Sequence, residues 1–305
     1  MPVPFVDTAV TVRVPATSAN LGPGFDALGL ALDLHDEVSA QVTGGGVRVT
    51  VAGEGAGDLE TDERHLIARA MLSTFGELGV AAPAGLALHC RNRIPQARGL
   101  GSSSAAIVAG VLLARAVVRT GAERFDDAAA LRMAARIEGH PDNVAPCLRG
   151  GATIAWTADG GARAVRLTPA AAISPTVFVP RQRGLTAAAR AALPATVPHA
   201  DAAHAAGRAA LLVHALTAEP ALLFAATEDR LHQPYRAAGM PGSAALLTRL
   251  RAAGVAAVIS GAGPAVLALS PVPGDFDPGA EVARHDLAVD ACGAVVRAGT
   301  LGGTA

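Results

Sequence analysis

PQARGLGSSSAA, residues Pro95–Ala106, is a glycine-rich turn that runs through three serines into an apolar stretch. AGLALHCRN before it has the branched and apolar residues of a strand, and SSSAAIVAGVLLARAVVRT after it has the length and apolar spacing of a helix. A turn between strand and helix aims several backbone N–H groups at one point, where the helix dipole favours negative charge. Gly99 and Gly101 let the backbone come close to a phosphate, while Ser102, Ser103 and Ser104 offer hydroxyls to its oxygens or to a hard cation such as Mg2+. Neither task needs lysine, and the chain has none: all 25 basic residues are arginine. That absence excludes a Walker-type loop and a lysine Schiff base. The third glycine of a dinucleotide fingerprint and the G-x-S-x-G of a hydrolase elbow are also missing. A serine-capped helix after a tight turn is the alternative that binds nothing.

The 305 residues are 51% hydrophobic with a net charge of -1, enough apolar sequence for two packed cores. Aromatic residues make up 3% and no basic run occurs, so the expected partner is a small molecule rather than nucleic acid. Cys90, Cys147 and Cys292 are odd in number and widely spaced, which predicts neither a disulfide framework nor a thiolate zinc site and fits a cytoplasmic location. MPVPFVDTAVTVRVPATS lacks a charged segment followed by an apolar one, so no secretion signal is expected. The uncharged stretch Ala252–Gly274 is long enough for a bilayer, but SGAGP at its centre reads as a turn between two short strands.

VTVRVPA, VRVTVA and GGATIAW alternate as strands, and DDAAALRMAARIEGH reads as a helix opened by aspartates. From ARAVRLTP onward the order becomes strand, helical tract, strand-turn-strand, with CGAVVRAG as a last strand, so a second domain is expected from about residue 160. A second glycine loop, SGAGPAVLA, is placed either to approach the same phosphates or to close over a substrate. RIEGHPDNVAPCLRGG brings Glu138, His140, Asp142 and Asn143 to a helix end, where Glu138 can supply an oxygen ligand to Mg2+.

VPATSANLGPGFDALGLAL, PQARGLGSSSAAIVAG and SGAGPAVLAL stand in the order and spacing of the three motifs of the GHMP kinase superfamily, and the first resembles its homoserine kinase branch. EGHPDNVAP, LTAAARAALP and RLHQPYR resemble the same branch. The resemblance implies an α+β fold, with a ribosomal-protein-S5-like nucleotide-binding domain over residues 1–158 and a ferredoxin-like domain over 159–305. It implies phosphorylation of the side-chain hydroxyl of L-homoserine by ATP and Mg2+, a step toward threonine, by a homodimer without nucleic-acid or membrane partners. Pro95, Gly99, Leu100, Gly101, Ser102, Ser103, Ser104 and Ala105 would then wrap the triphosphate, joined by Gly261 and Gly263, with Ser103 and Glu138 as metal ligands. His65 stands where the family more often has an asparagine near adenine. L-Homoserine is a zwitterion, which needs an acceptor for its ammonium and a fork of donors for its carboxylate. Asn20 and Asp26 match the ammonium side, Arg190 and Arg236 match the carboxylate side, and Thr186 is a further substrate-binding residue. His140 either contacts homoserine or caps the helix. Asn143 would orient the hydroxyl, since an amide takes up no proton at neutral pH, and Arg13 would neutralise charge on the transferred phosphate. A kinase of another small alcohol and a non-catalytic sensor are the rival readings.

Overall fold

Alternation along Val10–Ala19 builds the first strand, β1: Val12 and Val14 are fully buried, and Arg13 between them faces the other side. The computed structural model describes residues 4–298. β1 pairs antiparallel with β2 (Leu28–Thr43), a sixteen-residue strand that the sequence reading did not anticipate. The register between them shifts at Pro15/Ala16, where proline has no N–H to give to the ladder. β2 thereby serves two sets of partners.

β3 (Gly46–Gly53), α1 (Leu66–Glu77), β4 (Gly85–Asn92), α2 (Ser102–Val117), α3 (Gly121–Arg124), α4 (Asp127–Glu138), α5 (Val144–Arg149), β5 (Ala152–Ala158) and β6 (Gly161–Leu167) follow. At one end of β2, Glu37–Thr43 pairs with β4; at the other, Leu28–Leu30 pairs with β5. α2 is buried on most of its surface, because alanine and glycine let its neighbours close in. A methyl group on Gly110 would lie 2.6 Å from Ile67 O and 2.7 Å from Ala70 Cβ of α1. α2 is therefore held on the sheet with its N-terminus at the rim.

The second half contains β7 (Thr176–Pro180), α6 (Thr186–Ala191), α7 (His199–Thr217), α8 (Leu223–Ala226), α9 (Gln233–Arg236), α10 (Pro241–Ala252), β8 (Ala257–Ile259), β9 (Val266–Ala268), β10 (Val282–Asp286) and β11 (Val295–Ala298). Among the described residues, the strands make a seven-stranded sheet with the core path β11-β1-β2-β4-β3 and a four-stranded antiparallel sheet in the order β10-β7-β9-β8. Phe178, Val266, Ile259 and Leu250 pack α10 on the smaller sheet. The class is α+β, as expected.

The expected boundary at residues 158/159 needs correction. Asp159-Gly160 is a two-residue hairpin turn, Gly160 has φ of 89°, and β6 pairs with β5 from Ala158↔Gly161 to Ala152↔Leu167. The sheets divide between Leu167 and Thr176 instead. The last strand also returns to the first sheet, where Val10↔Ala298 to Arg13↔Val295 pair antiparallel.

That return is clamped by Asp290, whose Oδ2 lies 2.6 Å from His35 Nε2 while Oδ1 accepts from the N–H groups of Cys292 at 2.8 Å and Gly293 at 2.6 Å. The uncharged Ala252–Gly274 stretch forms the end of α10, β8, a turn and β9, and no helix among the described residues is long and apolar enough to cross a membrane. The three cysteines are free. Burial pushes the Cys90 thiol up to about 12, so it behaves as a small hydrophobe.

Burial raises the Asp290 carboxyl, but the hydrogen bonds from His35, Gly293 and Cys292 together hold it below its ordinary range. A carboxylate lowered in the folded state stabilises above its unfolded pKa, and that contribution is lost as pH falls through the folded value. Asp290→Ala is expected to cost about 1–3 kcal/mol in urea unfolding at pH 7. The deficit should shrink as pH falls below about 4; a pH-independent deficit would show that the charge contributes nothing.

Candidate active site

Three glycine-bearing turns, two from the larger sheet and one from the smaller, meet at one place. Ser260, fully buried, donates to Gly99 O at 2.6 Å and is bonded to Ser18 Oγ at 2.8 Å. Ala265 N donates to Arg98 O at 3.0 Å, Gly261 N to Ala19 O at 3.1 Å, and Asn20 Nδ2 to Gly261 O at 2.8 Å. These bonds tie the turn after β1, the turn before α2 and the turn between β8 and β9 into one body. Between them lies a cavity of about 520 Å3.

On one side of the cavity, Ala97, Gly99 and Gly101 have φ of 54°, 80° and 68°, so the turn reverses hand at every second residue. The N–H groups of Gly99, Leu100 and Gly101 have no acceptor among the described residues, and α2 begins directly behind them. Such a nest of free donors at a helix N-terminus suits an anion. The helix cap is Gly101 itself and not a serine, so the serine-capped alternative is set aside. Ser103 and Ser104 instead each donate to Glu138 Oε1 at 2.7 Å. Gly101, Ser102, Ser103 and Ala105 line the cavity, as do Leu100, Gly261 and Gly263; Pro95 and Ser104 are set back from its wall.

Ser103 and Glu138 put a hydroxyl and a carboxylate, both hard oxygen donors, together beside the anion nest. That donor set fits Mg2+, which keeps most of its waters and takes few protein ligands. Farther along the cavity the wall turns apolar, with Val14, Val38, Leu59, Leu66 and Ile67. His65 caps α1 there: its Nδ1 accepts from Ile67 N at 3.2 Å, which leaves the proton on Nε2. Nε2 is buried without a partner among the described residues, and burial lowers the pKa, so the ring is a neutral donor in search of an acceptor.

The other end is charged. Arg236 is 3% exposed, stacks over the Phe25 ring at 5.3 Å and donates to Ala189 O at 3.1 Å and Gly261 O at 3.3 Å. Among the described residues no carboxylate pairs with it, and burial, followed by repulsion from Arg190, lowers its pKa. Arg190 donates through both terminal nitrogens to Asp26, at 2.9 and 3.1 Å. Asp26 is held at φ of 55° by its N–H bond to Asn20 Oδ1 at 2.9 Å. Asn20, Asp26, Thr186, Arg190 and Arg236 thus converge on one region of the wall.

Between the two ends lie Asn143 and His140. Asn143 Oδ1 accepts from Thr17 Oγ1 at 2.8 Å, which leaves its amide N–H groups to donate. His140 Nδ1 is 2.6 Å from the buried Asp142, and that bond raises the imidazole pKa. Asp142 is engaged as an anchor for His140, not free as a base.

Arg13 is the departure. Its neighbour Val14 lines the cavity, and successive strand residues point to opposite faces, so the guanidinium lies across the sheet with Nε buried and unpartnered among the described residues. The expectation that Arg13 meets the transferred phosphate is corrected. Thr17, Ser18 and Ser260 were missed as individual contributors, although the motifs around them were visible. Asp36 was missed altogether: it lines the cavity, accepts from Arg93 N and Ile94 N at 2.6 and 2.9 Å, and is raised by burial.

Residues 65–151 match the family described as GHMP kinases N terminal domain, and residues 206–284 the one described as GHMP kinases C terminal. The chain is similar to a homoserine kinase of Streptomyces avermitilis, 60% identical over 266 residues that cover 87% of each chain. A homoserine kinase of Streptomyces coelicolor is 59% identical over 266 residues, 87% of this chain and 86% of that one. The crystal structure of homoserine kinase from Cytophaga hutchinsonii superimposes with a TM-score of 0.81 at 27% identity, covering 97% of this chain and all of the other.

A methyl group on Gly101 would collide with Thr17 Oγ1 and lie 3.1 Å from Asn143 Oδ1, at a φ that side chains resist. Gly101→Ala is expected to cost about 1–2 kcal/mol from backbone conformation alone and to weaken ATP binding, measured by thermal unfolding and calorimetry. Asp142→Asn is expected to move the His140 titration, followed by NMR, down toward the ordinary value of about 6.5. Because the pair raises the His140 pKa, it stabilises the fold below that value and loses its effect as pH rises through the folded pKa. An unmoved titration would show that Asp142 does not hold the imidazole proton.

Proposed function

Since the chain belongs to the homoserine kinases of the GHMP kinase superfamily, we infer that it transfers the γ-phosphoryl group of ATP to the side-chain hydroxyl of L-homoserine, giving ADP and O-phospho-L-homoserine for threonine biosynthesis. The observation that carries the substrate class is Arg236, a buried guanidinium lining the cavity with no carboxylate partner among the described residues. A desolvated cation of this kind is completed by an anionic ligand. Arg190 beside it and Asp26 opposite supply the second donor fork and the ammonium acceptor of a zwitterion.

The free N–H groups of Gly99, Leu100 and Gly101 bind the phosphates, with the α2 dipole adding to their field. Ser103 and Glu138 would hold Mg2+, which when bound supplies charge neutralisation for the phosphates. His65 donates from Nε2 to a ring nitrogen of the base, inside the apolar wall. Asn143, fixed by Thr17, donates to the oxygen of the substrate hydroxyl and so sets the direction of its lone pairs. Asn143 cannot take the proton, so the phosphoryl oxygens receive it; phosphoryl transfer through a loose transition state asks mainly for positioning and neutralised charge.

A coupled ADP-release assay with ATP and Mg2+ is expected to respond to L-homoserine and not to mevalonate or galactose. Arg190→Met and Asp26→Asn should each raise the KM for L-homoserine by about 10- to 100-fold, the loss of a charged hydrogen bond of about 1.5–3 kcal/mol, with the KM for ATP unchanged. Turnover of another alcohol in place of homoserine would overturn the zwitterion site.

A further inference from the structure

Behind the charged end of the central cavity lies a second one of about 460 Å3, walled by Gly139, Pro141, Trp156, Thr157 and Ala187. Asp26, Glu138, His140, Thr186 and Arg190 line both cavities, so they form the partition between them. The Asp26–Arg190 ion pair spans that partition, with side chains 39% and 41% exposed. Trp156, the chain's single tryptophan, is 41% exposed at the outer cavity. Of these residues only Glu138 belongs to the nucleotide side, as the partner of Ser103 toward Mg2+.

We propose that the Trp156-lined cavity is a vestibule through which the amino-acid substrate enters separately from the nucleotide, and that the Asp26–Arg190 pair is its gate. This rests on the homoserine kinase reading above. Without ligand the two gate charges neutralise each other across the opening. A zwitterion brings a replacement for each: its carboxylate takes the place of Asp26 on Arg190, and its ammonium takes the place of Arg190 on Asp26. One internal ion pair becomes two pairs to the ligand, and no charge is left alone. A ligand with only one of the charges opens the pair at the cost of stranding the other residue. The gate is easy to open, because a half-exposed ion pair is weak. Arg190 also stands on α6, none of whose residues is buried, so its side chain can swing without disturbing a core. Glu138, which would hold Mg2+ with Ser103, forms one edge of the partition and the Asp26–Arg190 pair another, so the amino acid passes on the side of the ion pair while the nucleotide occupies the central cavity.

The test follows Trp156 fluorescence in stopped flow as L-homoserine is mixed with the full chain, with and without a saturating non-hydrolysable ATP analogue. Emission is expected to change on binding, with an association rate constant within about twofold in the two conditions. Thr157 is exposed and lies outside the catalytic and binding residues, so Thr157→Phe narrows the vestibule without touching the reaction. It should slow association and dissociation alike by about tenfold and leave Kd within about twofold, the signature of an obstructed route. Association blocked by the analogue, unchanged rates in Thr157→Phe, or a Kd weakened through dissociation alone would each overturn the vestibule while wild-type turnover of homoserine leaves the reaction assignment standing. Absence of homoserine turnover in the wild type would overturn both.

Discussion

The hydroxyl of Ser260 holds together what the rest of the site depends on. It is fully buried, and its bonds to Gly99 O and Ser18 Oγ join three turns from distant parts of the chain. Each turn is costly by itself: Asn20 and Ala97 hold positive φ without being glycine, and irregular backbone leaves polar groups to be satisfied. Packed together, the turns satisfy one another's carbonyls and leave the N–H groups of Gly99, Leu100 and Gly101 free. The contact is also close, since a methyl group on Gly99 would run into Ser260 O. A buried polar group with every partner in place specifies one arrangement, whereas the same group half satisfied would destabilise it.

Charge recognition is then divided by chemistry. In the proposed reading, phosphates would meet backbone N–H groups and a helix N-terminus, which carry no side-chain entropy and need no lysine. The substrate carboxylate would meet guanidinium groups, whose planar forks match it. Arg236 is desolvated before any ligand arrives, so the protein bears that cost in advance and an anion relieves it. Arg190 and Asp26, half exposed, spend the same interval neutralising each other. The two arginines resemble each other in sequence and differ in role because one is buried and the other is not.

Much of the architecture could be read from the chain because it rests on local regularities. The strand-turn-helix around Gly99 and Gly101, the aspartate cap of α4 and the turn at SGAGP follow from spacing and turn chemistry, and the structure has each of them. Local regularity also misled where its meaning depends on partners. ARAVRLTP is a strand, but only pairing with β5 decides which sheet it joins. Asp159-Gly160 has the residue types of a two-residue hairpin turn, a signal the sequence reading did not use.

For the site, the sequence by itself determined the residue types and the order of the motifs: glycines free to take positive φ, hard oxygen donors, arginines without lysine, and an asparagine where a base would need a carboxylate. Tertiary structure alone decided distance, burial and facing. It put Arg13 on the wrong face of β1, bound Asp142 to His140, buried Arg236 without a counter-charge and brought Asp36 to the cavity wall. The physical reason is that a side chain's charge and hydrogen-bonding capacity belong to the residue, whereas the dielectric and the partners around it come from segments as far apart as Asn20 and Gly261.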